Sequence, residues 1–287
     1  MRVWRWGRAS RRAPLSSLIF ERCSETIMRV DAIVYLMYHE LQVAGRSLCH
    51  GEPGYVRYVV PEPDFRGQMN WLQNAGIRGI SVSDALRNRT AGRIVITFDD
   101  GCETDLTVAA PILHQANFGA TFYITVGFLG KTGYLVPRQV RELSDAGFDI
   151  GCHSMTHPCL SDLNQPDLHR EIADAKNRLE EMIGRPVRHF SCPGGRWSLS
   201  VSEVARRAGY HSVSTSRIAA NRGHSDPFQL ARIVVLRGLP LTAFENLCRG
   251  RGLWHRQMRH VVRSTSRRLL GNTLYDRLRK LILEQRA

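Results

Sequence analysis

From about residue 32 to residue 236 the chain alternates short runs rich in β-branched and aromatic residues with stretches of helical periodicity. This alternation constrains the fold more than any other feature. Strand candidates fall at 33–37, 79–82, 94–98, 120–125, 148–152, 188–192, 211–215 and 232–236. Helix candidates lie between them at 64–74, 104–115, 136–145, 166–183 and 200–207. The clearest places Leu168, Ile172, Leu179, Met182 and Ile183 at helical spacing, with Pro166 near its start and Gly184 after its end, where a left-handed cap is wanted. Repeated βα units imply a mostly parallel α/β sheet, open or closed into a barrel. In such barrels chemistry collects at the C-terminal ends of the strands.

Charge divides the chain differently. Lys plus Arg outnumber Asp plus Glu by 40 to 26, a formal net charge of +14, which on its face suggests an anionic partner. The excess is not in the body: residues 31–248 carry 22 of each sign, whereas residues 1–30 hold seven Arg and two Glu, and residues 249–287 hold eleven basic and two acidic groups. Three parts are therefore expected: a disordered basic extension over 1–30, a charge-balanced folded domain over 31–248, and a basic amphipathic helical tail over 249–287. In the tail Leu253, Trp254, Met258, Val261, Val262, Leu269, Leu270, Leu274, Leu278, Leu281 and Ile282 recur every three or four positions. That pattern suits an interfacial helix on anionic lipid, or a docked partner, better than nucleic acid, for which only Trp254 and Tyr275 supply aromatics. Met28, just before the first strand, is an alternative start.

The seven cysteines include no C-x-x-C pair, so reduced thiols are expected. With no run of roughly 20 apolar residues and no clear signal peptide, the expected location is cytoplasmic, or peripheral to the inner face of the membrane.

Two motifs carry chemistry. Directly after Ile94-Val95-Ile96 stands Thr97-Phe98-Asp99-Asp100-Gly101. Adjacent carboxylates repel one another, and a strand end that keeps them has a use for them, as metal ligand or as acid and base. An isolated Asp-Asp-Gly is also a common polar turn with a helix cap. The second motif, His153-Ser154-Met155-Thr156-His157-Pro158, follows the strand candidate 148–152. Histidines four apart reach one ion if the segment makes a helical turn, and with an Asp they form a two-His-one-carboxylate set that leaves positions open for water and substrate. Cys152 and Cys159 flank this pair and read as inert packing.

In these two motifs the sequence resembles the polysaccharide deacetylases, carbohydrate esterase family four, also called the NodB-homology domain. Leu36-Met37-Tyr38-His39-Glu40, the Asp64-Phe65 to Trp71-Leu72 helix, Gly119-Ala120-Thr121-Phe122-Tyr123 and Phe190-Ser191-Cys192-Pro193-Gly194-Gly195 support the match, which runs from about Val34 to Arg237. The resemblance implies a distorted (β/α) barrel of seven or eight mostly parallel strands. It also implies removal of N-acetyl groups from amino sugars of a polysaccharide or glycolipid. Carried over by motif, Asp99 is the general base, while Asp100, His153 and His157 hold a divalent metal, Zn2+ first with Co2+ or Ni2+ as alternatives. Such an ion polarises the acetyl carbonyl and lowers the pKa of a water that Asp99 deprotonates.

The chain departs from the common pattern twice. After Arg232 it reads Ile-Val-Val-Leu-Arg-Gly-Leu-Pro-Leu, without the usual Leu-x-His that supplies the acid. A permuted subset, similar to biofilm poly-N-acetylglucosamine deacetylases, carries that His in the first strand, which assigns the acid to His39. The usual Arg-x-Pro-Tyr is replaced by Ser191-Cys192-Pro193-Gly194, so the Arg that pairs with the base is missing there. Arg196 and Arg232 are the substitutes, with Arg232 preferred because it opens a strand candidate. Gly194 and Gly195 would leave backbone N–H groups accessible and the pocket open, and Trp197 is a candidate platform for a sugar ring.

Two other readings stand beside this one: hydrolysis of a non-sugar C–N amide bond on the same scaffold, and a basic membrane- or nucleic-acid-binding protein with a vestigial hydrolase core. The presence of all four motif residues speaks against the second.

Overall fold

The computed structural model describes residues 32–88, 92–253 and 257. The strands are β1 (Val34–Tyr38), β2 (Leu41–Gln42), β3 (Val60–Pro61), β4 (Arg78–Ile80), β5 (Arg93–Phe98), β6 (Thr121–Ile124), β7 (Asp149–Cys152), β8 (His189–Ser191), β9 (Ser212–Ser214) and β10 (Ile233–Val234). The helices are α1 (Pro53–Val56), α2 (Glu62–Asn74), α3 (Val82–Arg87), α4 (Ala110–Gln115), α5 (Pro137–Asp145), α6 (Gln165–His169), α7 (Ala175–Ile183), α8 (Leu199–Arg207) and α9 (Leu241–Cys248).

One sheet runs β10-β1-β5-β6-β7-β8-β9, with every pairing parallel. An eighth strand, β4, shares a flank of β5 with β6: Gly79 stands opposite Ile94 near its start and Phe122 opposite Phe98 at its end. Leu230, three residues before β10, bridges to Ser214 of β9. One short segment thus touches both ends of the sheet, and the sheet curls into the expected (β/α) barrel with an irregular seam.

Strand period decides which residues enter it, because successive side chains alternate between faces. Leu36, Tyr38, Ile94, Ile96, Phe98, Phe122, Ile124, Ile150 and Phe190 belong to the large cluster packed under the helices. Tyr35, Val95 and Tyr123, of opposite parity, form a smaller cluster with Ile33, Ile80 and Leu230. Continuing that second parity to the strand ends gives Thr97, Asp99, His153 and Ser191, all buried. The barrel interior is therefore apolar below and polar above. Gly151 makes room for this filling, since a Cβ there would lie 2.3 Å from Cδ1 of Tyr123.

All eight expected strands are present within two residues. Residue 82, expected in a strand, instead starts α3, because Ser81 caps the helix by accepting the Asp84 N–H at 3.1 Å. Helices α1, α3 and α9 were not expected. The expected helix 166–183 is continuous but contains a π-helical stretch, Arg170–Asp174, and the expected helix 104–115 opens with another, Asp105–Ala109. Gly184 ends α7 with φ 67°, the expected left-handed cap. The basic extension over 1–30 lies outside the described residues, as does most of the 249–287 tail. Among the described residues no helix is long and apolar enough to cross a membrane.

Candidate active site

Strand β5 delivers Asp99 into the barrel mouth, where its N–H donates to the Tyr38 carbonyl at 3.0 Å. Its carboxylate, 2% exposed, meets Arg232 in a fork: Nη1 donates to Oδ1 at 2.7 Å and Nη2 to Oδ2 at 2.8 Å. The remaining guanidinium N–H groups go to Thr97 Oγ1 at 3.1 Å, Ser191 Oγ at 2.7 Å and the Thr215 carbonyl at 3.1 Å. All five donors of Arg232 are matched. A buried charge pair that is fully hydrogen-bonded is the condition under which its desolvation cost is offset. Burial alone pushes the Asp99 carboxyl up, but Arg232 and then His153 oppose it and hold the group below the usual carboxylate range.

Asp100 turns out of the strand with φ 80°, beyond the reach of relaxed L-residues. The described residues include four non-glycine positions of positive φ, and three are Asp100, Ser154 and His157. Backbone strain is concentrated where the site is assembled. This is also how the two histidines converge: no helical turn joins them, contrary to the expectation, and left-handed residues at 154 and 157 fold the segment back instead. Buried Glu171 clamps that loop, accepting from Thr156 N–H at 2.8 Å and Thr156 Oγ1 at 2.6 Å, while its own carbonyl accepts from Met155 N–H at 3.1 Å.

Nε2 of His153 and Nε2 of His157 each lie 3.5 Å from Oδ1 of Asp100. These three donors form a group able to hold a metal ion. Four observations test the fit. An ion bound at about 2.0–2.1 Å in tetrahedral geometry needs donors roughly 3.3 Å apart, close to what is found. Oδ1 of Asp100 is buried without a hydrogen-bond partner. Nδ1 of His153 faces the Ser191 carbonyl at 2.9 Å, which places the proton on Nδ1 and leaves the Nε2 lone pair for a ligand. Burial lowers the His153 pKa to about 4, so the ring is neutral, as a ligand must be. The His157 side chain is 33% exposed and marks the open side of the cluster.

His39 follows β1 at the same end of the barrel, its ring 5.0 Å from that of Tyr58 and its Nδ1 buried without a hydrogen-bond partner. Its neighbour Glu40 is fully buried and organises the 45–58 loop, accepting from Arg46, from the Cys49 N–H at 3.0 Å and from Tyr55 Oη at 2.9 Å.

Other expected residues fall into place differently. Arg232 is the substitute arginine on Asp99; Arg196 instead places Nη1 2.7 Å from Sγ of Cys159. The N–H of Gly195 is not accessible as expected, because it donates to the Cys192 carbonyl at 2.8 Å, and a Cβ there would lie 1.8 Å from Ser216 Oγ. Gly195 is required for packing. At Gly194, φ 58°, the Cβ direction meets only Arg196. Trp197 packs against the core, and its indole N–H donates to Ser202 Oγ at 2.7 Å and to the Phe228 carbonyl at 2.9 Å, which anchors the ring beside α8. Cys152 is buried and its thiol pushed up to about 12 by that burial, in keeping with inert packing.

Sequence reasoning missed Thr97, Ser191, Glu171 and Glu40. One signal was available: Glu171 stands in the apolar stripe of Leu168, Ile172 and Ala175, and a charge on a buried face needs a partner.

The polysaccharide deacetylase family model matches residues 87–213. YxkH of Bacillus subtilis (strain 168) is 26% identical over 215 residues, covering 73% of each chain. A chitooligosaccharide deacetylase of Azorhizobium caulinodans is 35% identical over 125 residues, 43% of this chain and 58% of that protein. Among solved structures, the Streptococcus pyogenes deacetylase PplD in complex with acetate superposes with a TM-score of 0.67 at 22% identity, over 76% of this chain and 99% of that one. That likeness shows the barrel, and the family match falls on the segment that supplies Asp99, Asp100, His153 and His157. Residues 87–213 thus match the polysaccharide deacetylase domain, and the chitooligosaccharide relative that overlaps them is named a deacetylase.

Proposed function

We propose that this protein hydrolyses the N-acetyl amide of an amino sugar in an oligo- or polysaccharide or a glycolipid, with a divalent metal, Zn2+ foremost. The observation that carries the reading is the pairing of two unlike sites at one barrel mouth: a carboxylate kept ionised by a buried Arg fork, next to a three-donor metal cluster with an open side. Asp100, His153 and His157 hold the ion, which when bound polarises the amide carbonyl and acidifies a water molecule.

The chain's own groups do the rest. Asp99 Oδ2 lies 3.8 Å from His153 Nε2, so the base faces the metal cluster. Arg232 keeps Asp99 ionised near neutral pH, so its carboxylate is free to accept a proton from water. His39, at the end of the neighbouring strand β1, is the group we assign to donate a proton to the departing amine. Gly194 is the candidate backbone donor to the developing oxyanion.

Metal analysis joined to an acetate-release assay over neutral and charged N-acetylated oligosaccharides tests the proposal. The expected result is one ion per chain and acetate from at least one substrate, lost in Asp99→Asn and sharply reduced in His39→Ala. Absence of both ion and acetate overturns the reading. Full activity in His39→Ala removes only the acid assignment.

A further inference from the structure

Two residues beyond Asp100 in the chain begins a second group of reactive side chains that the proposed deacetylation does not use. Cys102 directly follows Asp99-Asp100-Gly101 and is fully buried; Cys49 belongs to the loop organised by Glu40 and is partly exposed. Their Sγ atoms are 3.8 Å apart, although the residues are 53 positions apart in sequence. The loop is held closely at this point. The Cys49 N–H donates to both oxygens of Glu40, its Sγ lies 3.1 Å from the Gly133 carbonyl, and a Cβ at Gly133 would sit 2.8 Å from that Sγ. Tyr55 Oη bridges the pair to the same carboxylate, 3.7 Å from Cys102 Sγ and 2.9 Å from Glu40 Oε2. Closing to a bonded S–S distance of about 2.05 Å needs the two sulfurs to approach by a little under 2 Å. A rotamer change with a small loop shift can supply this.

We propose that Cys49 and Cys102 are an oxidation site: a peroxide converts them to a disulfide that ties the 45–58 loop to the turn presenting Asp100. The steps balance. The Cys49 thiol gives up its proton and the thiolate attacks the peroxide; the O–O bond breaks to leave a sulfenic acid and hydroxide, which takes up that proton as water. The Cys102 thiol then attacks the sulfenic sulfur, the S–O bond breaks, and the departing hydroxyl leaves with the Cys102 proton as a second water. Two electrons pass to the peroxide. Cys49 is the entry point because it is the accessible partner, and Cys102 is the resolving thiol because its burial leaves it reachable from Cys49 and not from solvent. Hydrogen bonding from Cys102 holds the Cys49 thiol below its ordinary value against burial and the Glu40 charge, which push it up, with smaller help from Arg46 and Tyr55. The consequence reaches the active site through the chain: Cys102 is joined by one glycine to the strained residue Asp100. Pulling Cys102 toward the loop bears on the carboxylate that completes the metal cluster.

The test treats the whole chain, loaded with zinc, with stoichiometric hydrogen peroxide. The expected result is a mass loss of about 2 Da, reversed by dithiothreitol, and a tryptic peptide linking Cys49 to Cys102. Cys49→Ser and Cys102→Ser should each abolish that peptide. These readouts do not depend on which amide the enzyme cleaves. Deacetylase turnover should fall severalfold with oxidation in the wild type and stay level in Cys49→Ser. Two intact thiols, a disulfide joining other cysteines, or Cys49 oxidised to sulfinic acid without bridging would each overturn the oxidation site. A Cys49–Cys102 disulfide with unchanged turnover would overturn the coupling to Asp100.

Discussion

Replacing Arg232 by Met keeps most of its length and removes its charge, leaving the Asp99 carboxylate buried at 2% exposure with only Ser191 Oγ, at 3.4 and 3.5 Å, in the place of the fork. Breaking a buried pair by removing one partner costs about 3–5 kcal/mol. The variant can escape part of that cost by protonating Asp99. At about 1.4 kcal/mol per unit the available shift is roughly 2–4 pKa units upward, from below the usual carboxylate range to within or above it. The sign follows from linkage. In the wild type the folded carboxyl titrates below its unfolded value of about 3.9, so its contribution to stability is complete above that pH and is lost as pH falls through the lowered folded value. In the variant the folded carboxyl titrates higher, and protonation relieves the buried charge in acid. The stability gap between the proteins should therefore be widest near neutrality, at about 3–5 kcal/mol, and narrow as pH is lowered. Urea unfolding across a pH series measures the gap, and the acid limb of kcat/KM should move up by about two units or more. Arg232→Lys, which keeps charge without the fork, should fall between the two. A variant as stable as wild type at pH 7, or a gap that does not narrow in acid, would refute the account of Asp99.

Chelation should lower both turnover and Tm, and zinc should restore them; His157→Ala should bind zinc far more weakly in a competition titration while keeping the fold. In metal-free protein His153 and His189 both titrate near 4 because burial disfavours their charge, so stability should be flat above about pH 6.5 and decline between about 6.5 and 4. His189→Asn should shrink that decline, and its absence in the wild type would show that these rings are not buried neutral. Gly151→Ala drives a methyl into the Tyr123 ring and should cost about 1–3 kcal/mol in urea unfolding. Glu40→Gln removes the charge that Arg46 pairs with, and limited proteolysis should then cut the 45–58 loop faster than in the wild type.

Much of the protein was legible in the sequence because its signals are local. Alternation of apolar runs with helical periods is set within each element, so the strands and the parallel class could be read directly. Asp99, Asp100, His153 and His157 each stand next to a readable strand and could be placed at strand ends without knowledge of the barrel. Helix α3 escaped because its Ser81 cap follows a strand without an intervening loop, and the turn at 153–157 escaped because positive φ at Ser154 and His157 has no glycine to announce it.

What depended on barrel closure could be read only in part: Arg232 was preferred over Arg196 because it opens a strand candidate, but the buried fork it makes on Asp99 was not legible. Arg232 reaches Asp99 across 133 residues only because the segment before β10 joins the two ends of the sheet. The same holds for Ser191, whose hydroxyl serves Arg232 while its carbonyl orients His153, and for Glu40 and Glu171, which brace loops from elements distant in sequence. Sequence alone determined which residues are the candidates for the chemistry, since identity and strand parity are properties of short segments. Tertiary structure decided which arginine holds the base, which glycine is packing, and which two of the cysteines meet, because a buried charge or thiol takes its state from neighbours that only the closed barrel brings within reach.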